Sequence, residues 1–373
     1  MKVGVITSVR RVTDTRIFYK VCRSLARAGF DVTYIVPHER DEVIDNVRIK
    51  AIPRQTTRWS RMTRAVWQVY REAVKLDADI YSFHDAEMIP VALLLRASGK
   101  KVVYNIHDDA TVSLLTKHYI PLWLRKPLAA LAAGLENTAC RFFSGIIPAS
   151  PGLAKKYARL NKQTVVVSNY VDLSEIPLPL ERDWEHGPFT VTYVGFLDKE
   201  RQIHQLVMAM GLLPKHLNVV LTLGGPFTSP GYRKEVVALS EWKSVEELGY
   251  LNRPDMIRVL STSRIGVVLT VDAAVQRYGS SNKLFDYMAS AIPIVATNFP
   301  LWREIIEEAG CGLTVDSNDP NAIAEALLYL LTHPKEADEM GRRGREAVEK
   351  FYSWQQEEEK LIQLFNTLMD SPS

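Results

Sequence analysis

Along most of the chain, short runs of β-branched residues alternate with stretches of helical, amphipathic period. No other feature constrains the fold as tightly, because strands that alternate with helices build a parallel sheet wound on both faces. Residues 3–6 lead into a helix in which Phe18, Cys22, Leu25 and Ala28 recur at three- and four-residue spacing. Arg16, Lys20, Arg23 and Arg27 lie outside that stripe, and Gly29 closes the helix. Further strands are predicted at 32–36, 47–52, 80–83, 102–106, 146–148 and 165–168, with helices at 61–75, 88–95 and 127–142.

The rhythm breaks where Pro177, Pro179, Gly187 and Pro188 punctuate a mixed-charge stretch, which reads as a linker. A second series follows, with strands at 190–194, 219–223, 247–250, 265–270, 294–296 and 312–315. Three helices at 321–331, 335–351 and 354–368 end the chain. At 373 residues the chain exceeds one ordinary core. The expected organisation is an N-terminal α/β domain at 1–170, a linker at 171–188 and a second α/β domain at 189–352. A C-terminal helix at 353–373 can cross back to the first domain. Doubly wound sheets bind ligands at the carboxyl ends of their strands, so two such domains are expected to share a cleft there.

With 47% hydrophobic and 24% charged residues, the composition excludes disordered, collagen-like and disulfide-scaffold classes. Cys22, Cys140 and Cys311 are few, distant and odd in number, as in a reducing compartment, and read as buried small hydrophobes. The amino terminus has only a few apolar residues before Arg10 and Arg11 and reads as a strand, not a signal peptide. Apolar runs such as 89–95 and 128–135 fall short of the about 20 residues that span a bilayer. A cytoplasmic protein, peripheral on the membrane at most, is expected.

The net charge of +3 gives no reason to expect nucleic acid as a partner. It is nevertheless an average of opposites. Residues 1–170 hold 27 Lys and Arg against 14 Asp and Glu, or +13; the remainder holds 19 against 29, or −10. The N-terminal domain therefore suits an anionic acceptor or an acidic membrane surface. Arg54, Arg58, Arg61, Arg64 and Arg71 interleave with Trp59, Met62, Trp67 and Tyr70, a pattern that can rest on anionic lipid, and Trp123 to Lys126 can extend it. The same pattern fits a helix packed on the sheet with its arginines snorkelling outward.

One stretch carries the most chemistry. Gly279, Ser280 and Ser281 precede a predicted helix that opens with Asn282 and Lys283. Backbone amides at a helix start attract a phosphate, and Lys283 there makes more sense with an anion bound. Asp286, one turn on, can accept hydrogen bonds from vicinal ribose hydroxyls. By spacing alone, a Ser cap with a solvated Lys and Asp fits equally well.

From Tyr278 to Ala296 this stretch resembles the donor-binding segment of the retaining glycosyltransferases of family four, with its Glu-x7-Glu pattern and Met-Ala-x-Gly-x-Pro-Val turn. The resemblance extends in order over most of the chain. It takes in Ser8 to Gly29, with Thr13 to Phe18 inside it, Phe83 to Glu87, Asn105 to Asp109, Gly249 to Leu251, Phe299 to Glu304 and Gly341 to Trp354. The first three of these segments resemble a subgroup associated with bacterial surface polysaccharides. The resemblance implies the GT-B fold, two Rossmann-like doubly wound α/β domains facing a central cleft.

It also implies roles. Asp286 stands at the family's second Glu and Tyr278 at its first; Gly195 is followed by Phe196 where the family has Arg, and Arg201 stands at its Lys. Donor contacts are then expected from Gly195, Arg201, Tyr250, Leu251, Tyr278, Ser280, Ser281, Asn282, Lys283 and Asp286. Arg201 and Lys283 would neutralise the leaving diphosphate, and His107 would orient the reaction centre. Arg10, Arg11, Asp14, Arg16, His84 and Asp85 are the candidate acceptor contacts, and Arg10 or Arg11 can replace the missing Arg.

The implied reaction moves a sugar from a nucleoside diphosphate, UDP in preference to GDP, to a glycan or lipid-linked acceptor by front-face substitution with retention. No cofactor or metal is expected: Asp108 and Asp109 are adjacent, without the alternating spacing of an Asp-x-Asp motif. Two other readings stay open, a nucleotide-sugar epimerase of the same fold and a non-catalytic partner subunit, the latter motivated by Phe196 and Tyr278.

Overall fold

The computed structural model describes residues 1–107, 114–115, 120–177, 184, 188–271 and 281–370. The chain divides into two compact units, Met1–Asn169 with Trp354–Ser373, and Tyr170–Ser353.

The first unit is built on a seven-stranded sheet. Its strands are β1 (Lys2–Ile6), β2 (Asp31–Pro37), β3 (Glu42–Ile44), β4 (Val47–Ile52), β5 (Ile80–Phe83), β6 (Lys101–Ile106) and β7 (Gly145–Pro148), in the order β3-β4-β2-β1-β5-β6-β7. All neighbours are parallel except β3, which returns on β4 through Asp45 and Asn46. Both of those turn residues have positive φ, at 50° and 63°, as a two-residue hairpin turn requires. The central strands β1, β2 and β5 are buried beyond the first residue of β1 and of β2, as expected of a sheet covered on both faces.

Residues 165–168, predicted as a strand, run beside β7 without becoming one: an isolated bridge joins Thr164 to Ile146, and the Val165 and Val167 amides donate to the Ile146 and Pro148 carbonyls at 3.0 and 3.2 Å. Pro148 has no N–H to return to Val165, which breaks the parallel ladder there, while the Arg16 guanidinium donates to the Val167 carbonyl at 2.7 Å and the Glu357 carboxylate accepts from the Ser168 amide at 2.6 Å. The predicted first helix begins as a wide-turn π-helix, Thr15–Cys22, and continues as the α-helix Arg23–Arg27.

The helix Trp354–Asp370 completes the first unit's core. Leu361, Leu364, Phe365 and Leu368 pack with Val21, Cys22, Leu25 and Phe30, and the buried Trp354 donates its indole N–H to Ser24 at 3.0 Å. This helix moves charge across the boundary, since residues 354–373 carry one Lys against four Asp and Glu. The first unit therefore holds 28 cationic against 18 acidic residues, or +10, and the second 18 against 25, or −7.

The second unit has six parallel strands, β8 (Phe189–Val194), β9 (Val219–Gly224), β10 (Val245–Gly249), β11 (Ile265–Val268), β12 (Ile294–Thr297) and β13 (Gly312–Val315), in the order β10-β9-β8-β11-β12-β13. Val171 and Ile176 are buried among Phe285, Tyr287 and Met288, so the chain enters this unit's core directly after Tyr170.

Strand order reverses direction at β1/β5 in the first unit and at β8/β11 in the second. At such a switch point the flanking crossovers leave toward opposite faces and open a crevice at the carboxyl ends of the strands. Thr7, Ser8 and His84 follow the first pair; Gly195 and Leu269 follow the second.

Candidate active site

At the second unit's switch point the backbone is packed as closely as the chain allows. Gly195 and Gly225 take φ of +143° and +146°, and a Cβ on Gly225 would fall 1.9 Å from the Gly195 carbonyl oxygen. A Cβ on Gly195 would fall 2.6 Å from Cε of Lys283, whose stem lies over this turn. Lys283 belongs to the first turn of the helix Asn282–Ala289, where the cap residue Ser281 makes no side-chain capping bond. Its ammonium lies 5.4 Å from the centre of the Tyr193 ring. Burial, and after it the charge of Arg201, pull this ammonium down to about 8, against the opposing pull of Asp286 and Asp198. Arg201 ends a short turn capped by Asp198, which accepts its amide at 2.9 Å.

Asp286, one turn along the helix, accepts from Nη1 of Arg253 at 2.9 Å, while Nε of Arg253 donates to Glu175 at 2.9 Å. Arg253 is a member of the site that the sequence reading does not name; it lies 33 residues from Asp286 and no spacing rule links them. Leu251 packs against Gly224, and the rings of Tyr250 and Phe196 are exposed. Tyr278 and Ser280, like Asp108 and Asp109, lie outside the described residues.

At the first unit's switch point, Asp85 sits at the cap position of the turn Ala86–Met88 but does not cap it. Its carboxylate accepts from the Thr7 hydroxyl and, at 3.2 Å, from the Ser8 amide, with Nε of Arg10 at 3.5 Å. Asp14 caps the Thr15–Cys22 helix through the amides of Arg16 and Ile17 at 3.0 and 2.9 Å. Arg11 is exposed.

Two residues expected to meet an acceptor are instead enclosed. Arg16 is 2% exposed and His84 is 4% exposed. His84 Nδ1 lies 3.0 Å from His107 Nε2, within hydrogen-bond reach across the ends of β5 and β6. Burial pushes both imidazoles well below their usual range, and the charges of Arg16 and Arg10 press in the same direction. Burial likewise brings the Arg16 guanidinium down to about 10, against Glu357 and Asp14. Nε and Nη1 of Arg16 and Nε2 of His84 have no hydrogen-bond partner among the described residues.

Each unit thus offers a set of polar groups at the carboxyl ends of its strands, one dominated by cations and glycine turns, the other by histidines. Residues 180–347 match the family Glycosyl transferases group 1, and residues 15–175 match Glycosyltransferase Family 4. The chain belongs to the family-four glycosyltransferases of the GT-B fold.

Among relatives, this family-four chain is 25% identical over 257 residues to the capsular polysaccharide biosynthesis glycosyltransferase CapM of Staphylococcus aureus. That match covers 63% of the present chain and 64% of CapM, so the chain spans less than two thirds of that relative's length. Sucrose-phosphate synthase from Thermosynechococcus elongatus superposes with a TM-score of 0.74 at 19% identity, covering 99% of both chains. The Anabaena protein HepE in complex with UDP-glucose superposes with a TM-score of 0.72 at 14% identity, covering 98% of this chain and 100% of HepE.

The α/β architecture expected from the alternation of strands and helices is the one observed. At the position of the family turn's glycine this chain has Ala291, held at a φ of +53°. Among the described residues, no helix is long and apolar enough to cross a membrane.

Proposed function

We propose that the protein transfers a sugar, with retention of configuration, from a nucleoside diphosphate to a glycan or lipid-linked acceptor, using UDP in preference to GDP. The observation that carries this reading is the Lys283 ammonium lying over the Gly195 turn, lowered chiefly by burial and after it by the charge of Arg201. Two cations that repel each other in a part-buried site favour an anion between them, and sugar–diphosphate cleavage builds negative charge on the leaving oxygen. Arg201, Lys283 and the amides at Ser281 and Asn282 would take up that charge without a metal or cofactor. The salt-bridged Asp286 would keep its second oxygen for a ribose hydroxyl. His107 would meet the sugar, and the departing phosphate oxygen would take the acceptor's proton. Support for UDP comes from HepE, whose complex holds UDP-glucose, and support for a polysaccharide acceptor from CapM.

A thermal-shift screen of UDP, GDP, ADP and their sugars tests the donor, followed by turnover with and without acceptors. The expected result is a raised midpoint with a UDP sugar and loss of about tenfold or more in turnover for Arg201→Ala and Lys283→Ala. Turnover of the nucleotide sugar to its epimer without acceptor would replace the reading with an epimerase. Binding without turnover would replace it with a partner subunit.

Peripheral attachment to the cytoplasmic face of a membrane belongs to the same reading. On the helix Leu122–Cys140, Leu128, Leu131 and Leu135 recur at three- and four-residue spacing and yet face outward, with Trp123 74% exposed. The helix's single carboxylate, Glu136, is buried against Tyr104 and Lys156, so no acidic group faces out, while Arg125 and Lys126 flank the apolar ridge. Exposed Trp59 and Trp67 stand among Arg61, Arg64 and Arg71 on the helical segment Arg58–Leu76. Co-sedimentation with phosphatidylglycerol vesicles but not phosphatidylcholine vesicles is expected, and its loss in Trp123→Ser/Leu131→Ser. Equal recovery with both vesicles would count against the reading.

A further inference from the structure

Lys283 and Asp286 stand three residues apart on one helix, a spacing at which side chains of opposite charge ordinarily meet. Here they part. The Lys283 stem crosses the Gly195 turn, and its ammonium lies 5.4 Å from the centre of the Tyr193 ring. The Asp286 carboxylate turns instead to Arg253 and accepts from Nη1 at 2.9 Å. Among the described residues, no ion pair joins Lys283 to Asp286 or to another carboxylate.

The surroundings hold Arg253 where it can do this. It opens the helix Arg253–Thr262 shortly after β10, and the cap residue Asn252 accepts the Asp255 amide at 2.9 Å. Its Nε donates to Glu175 at 2.9 Å. Glu175 ends the turn Leu173–Glu175, whose cap Asp172 accepts the Ser174 amide at 3.0 Å. The Met256 sulfur lies 3.9 Å from Nη1. Side chains of Glu175, Arg253 and Asp286 are 21%, 23% and 14% exposed, so little water competes for these bonds. A brace to the turn would be complete with Glu175 alone. The bond to Asp286 commits a further guanidinium nitrogen to a residue of the site.

The consequence for Lys283 follows from charge. An Asp286 released by Arg253 faces Lys283 on its own helix, and an ion pair there would neutralise a cation suited to a phosphate. Held by Arg253, the carboxylate acts on Lys283 only from a distance. Arg201 and Asp198, at the end and the cap of the turn Lys199–Arg201, are the other charged groups that reach the ammonium, and Tyr193 turns a neutral ring to it.

We propose that Arg253 is a positioning residue that holds Asp286 away from Lys283, so that the helix start offers an unpaired cation to a diphosphate and, one turn on, an oriented carboxylate to a ribose. The separation of the two charges stands on distances within the second unit; that its two ends take diphosphate and ribose rests on the proposed transfer reaction. It gives Arg253 a task beyond joining two segments of the fold.

Carbon-13 spectra of full-length protein labelled at lysine Cε read the Lys283 titration without nucleotide, its signal identified by its absence from Lys283→Met. In the wild type the midpoint is expected at about 8. Arg253→Met is expected to raise it by about one unit or more as Asp286 swings to Lys283, whereas Arg253→Lys keeps a cation at the clamp and stays near the wild type. Arg253→Met/Asp286→Asn is expected to undo the rise, which loss of a merely structural brace would not produce. An unchanged midpoint in folded Arg253→Met would overturn the proposal. So would a fall of more than about one unit in Asp286→Asn, because Asp286 would then already pair with Lys283, and this arm needs no Arg253 variant to fold.

Calorimetric titration adds the ligand. The wild type is expected to prefer UDP to its 2′-deoxy analogue by about tenfold, and Arg253→Met to lose that preference. A preference retained in Arg253→Met would overturn the proposal. Absence of UDP binding to the wild type, with the lysine titrations as expected, would instead remove the proposed reaction and leave the charge separation as described.

Discussion

Replacing Lys283 by Met separates binding from stability, because the two are expected to move in opposite directions. The ammonium falls from the ordinary 10.5 to about 8, chiefly through burial. Such a shift amounts to about 3 kcal/mol against the charged form, an upper bound for a group that keeps some contact with solvent. The Tyr193 ring returns about 1 kcal/mol through its face, leaving a net penalty of about 2 kcal/mol at pH 7.

The sign follows from proton counting. Between pH 8 and 10.5 the unfolded chain holds the proton that the folded chain has released, so wild-type stability rises with pH through that window. The penalty is therefore fully present below pH 8. Met keeps the length of the stem over Gly195 and removes the charge, so Lys283→Met should melt about 4–8 °C higher at pH 7 in a unit of this size.

Nucleotide binding should go the other way. A bound diphosphate pulls the proton back onto Lys283, so wild-type protein at pH 8 should take up about half a proton per nucleotide. Affinity should fall by about tenfold per pH unit above 8. Calorimetric titration with UDP in two buffers of different ionisation heat measures the uptake, and scanning calorimetry measures the midpoint. A Met variant that melts below the wild type at pH 7, or binding without proton uptake at pH 8, would refute the reasoning.

Other expectations concern packing. Gly225→Ala places a methyl 1.9 Å from the Gly195 carbonyl at a φ of +146°, and should lower stability by at least about 3 kcal/mol in urea unfolding, with loss of nucleotide binding. Gly134→Ala, on the helix Leu122–Cys140 with nothing within 4 Å of the new methyl, should instead raise stability by about 0.5–1 kcal/mol in the same assay. Trp354→Ala removes a fully buried ring and its bond to Ser24 and should cost about 3–5 kcal/mol, seen as an earlier unfolding transition for the first unit while the second is unchanged.

Most of the sheet could be read from the chain because its strands are continuous β-branched runs, buried on both faces, between helices of clear period. The exceptions have physical causes. β3 is three residues long and carries a glutamate, so it has no run to detect; only the Asp45-Asn46 pair marks its hairpin. Residues 165–168 have the composition of a strand, but the β7 residue that should donate back to Val165 is Pro148, which has no N–H, and Arg16 takes the Val167 carbonyl instead. The π-winding of Thr15–Cys22 leaves no trace in a pattern that fits a helix of ordinary pitch.

The site divides in the same way. Lys283 and Asp286 could be singled out because the chemistry they suit is local, a helix start and a carboxylate one turn on, whereas Gly195 came from the family resemblance. Arg253 could not, since its bond to Asp286 arises where two helices of the second unit converge.

The sequence by itself determined two parallel α/β units, the basic bias of the first and the cationic residues around the start of the Asn282–Ala289 helix. These properties reside in short windows, where periodicity, composition and turn chemistry act without long-range contacts. Tertiary structure decided which side chains lost water. It enclosed Arg16 and His84, placed His84 against His107, carried the acidic C-terminal helix into the basic unit and turned the leucines of Leu122–Cys140 outward. Burial and charge pairing depend on the whole packing of the chain, and no local pattern records them.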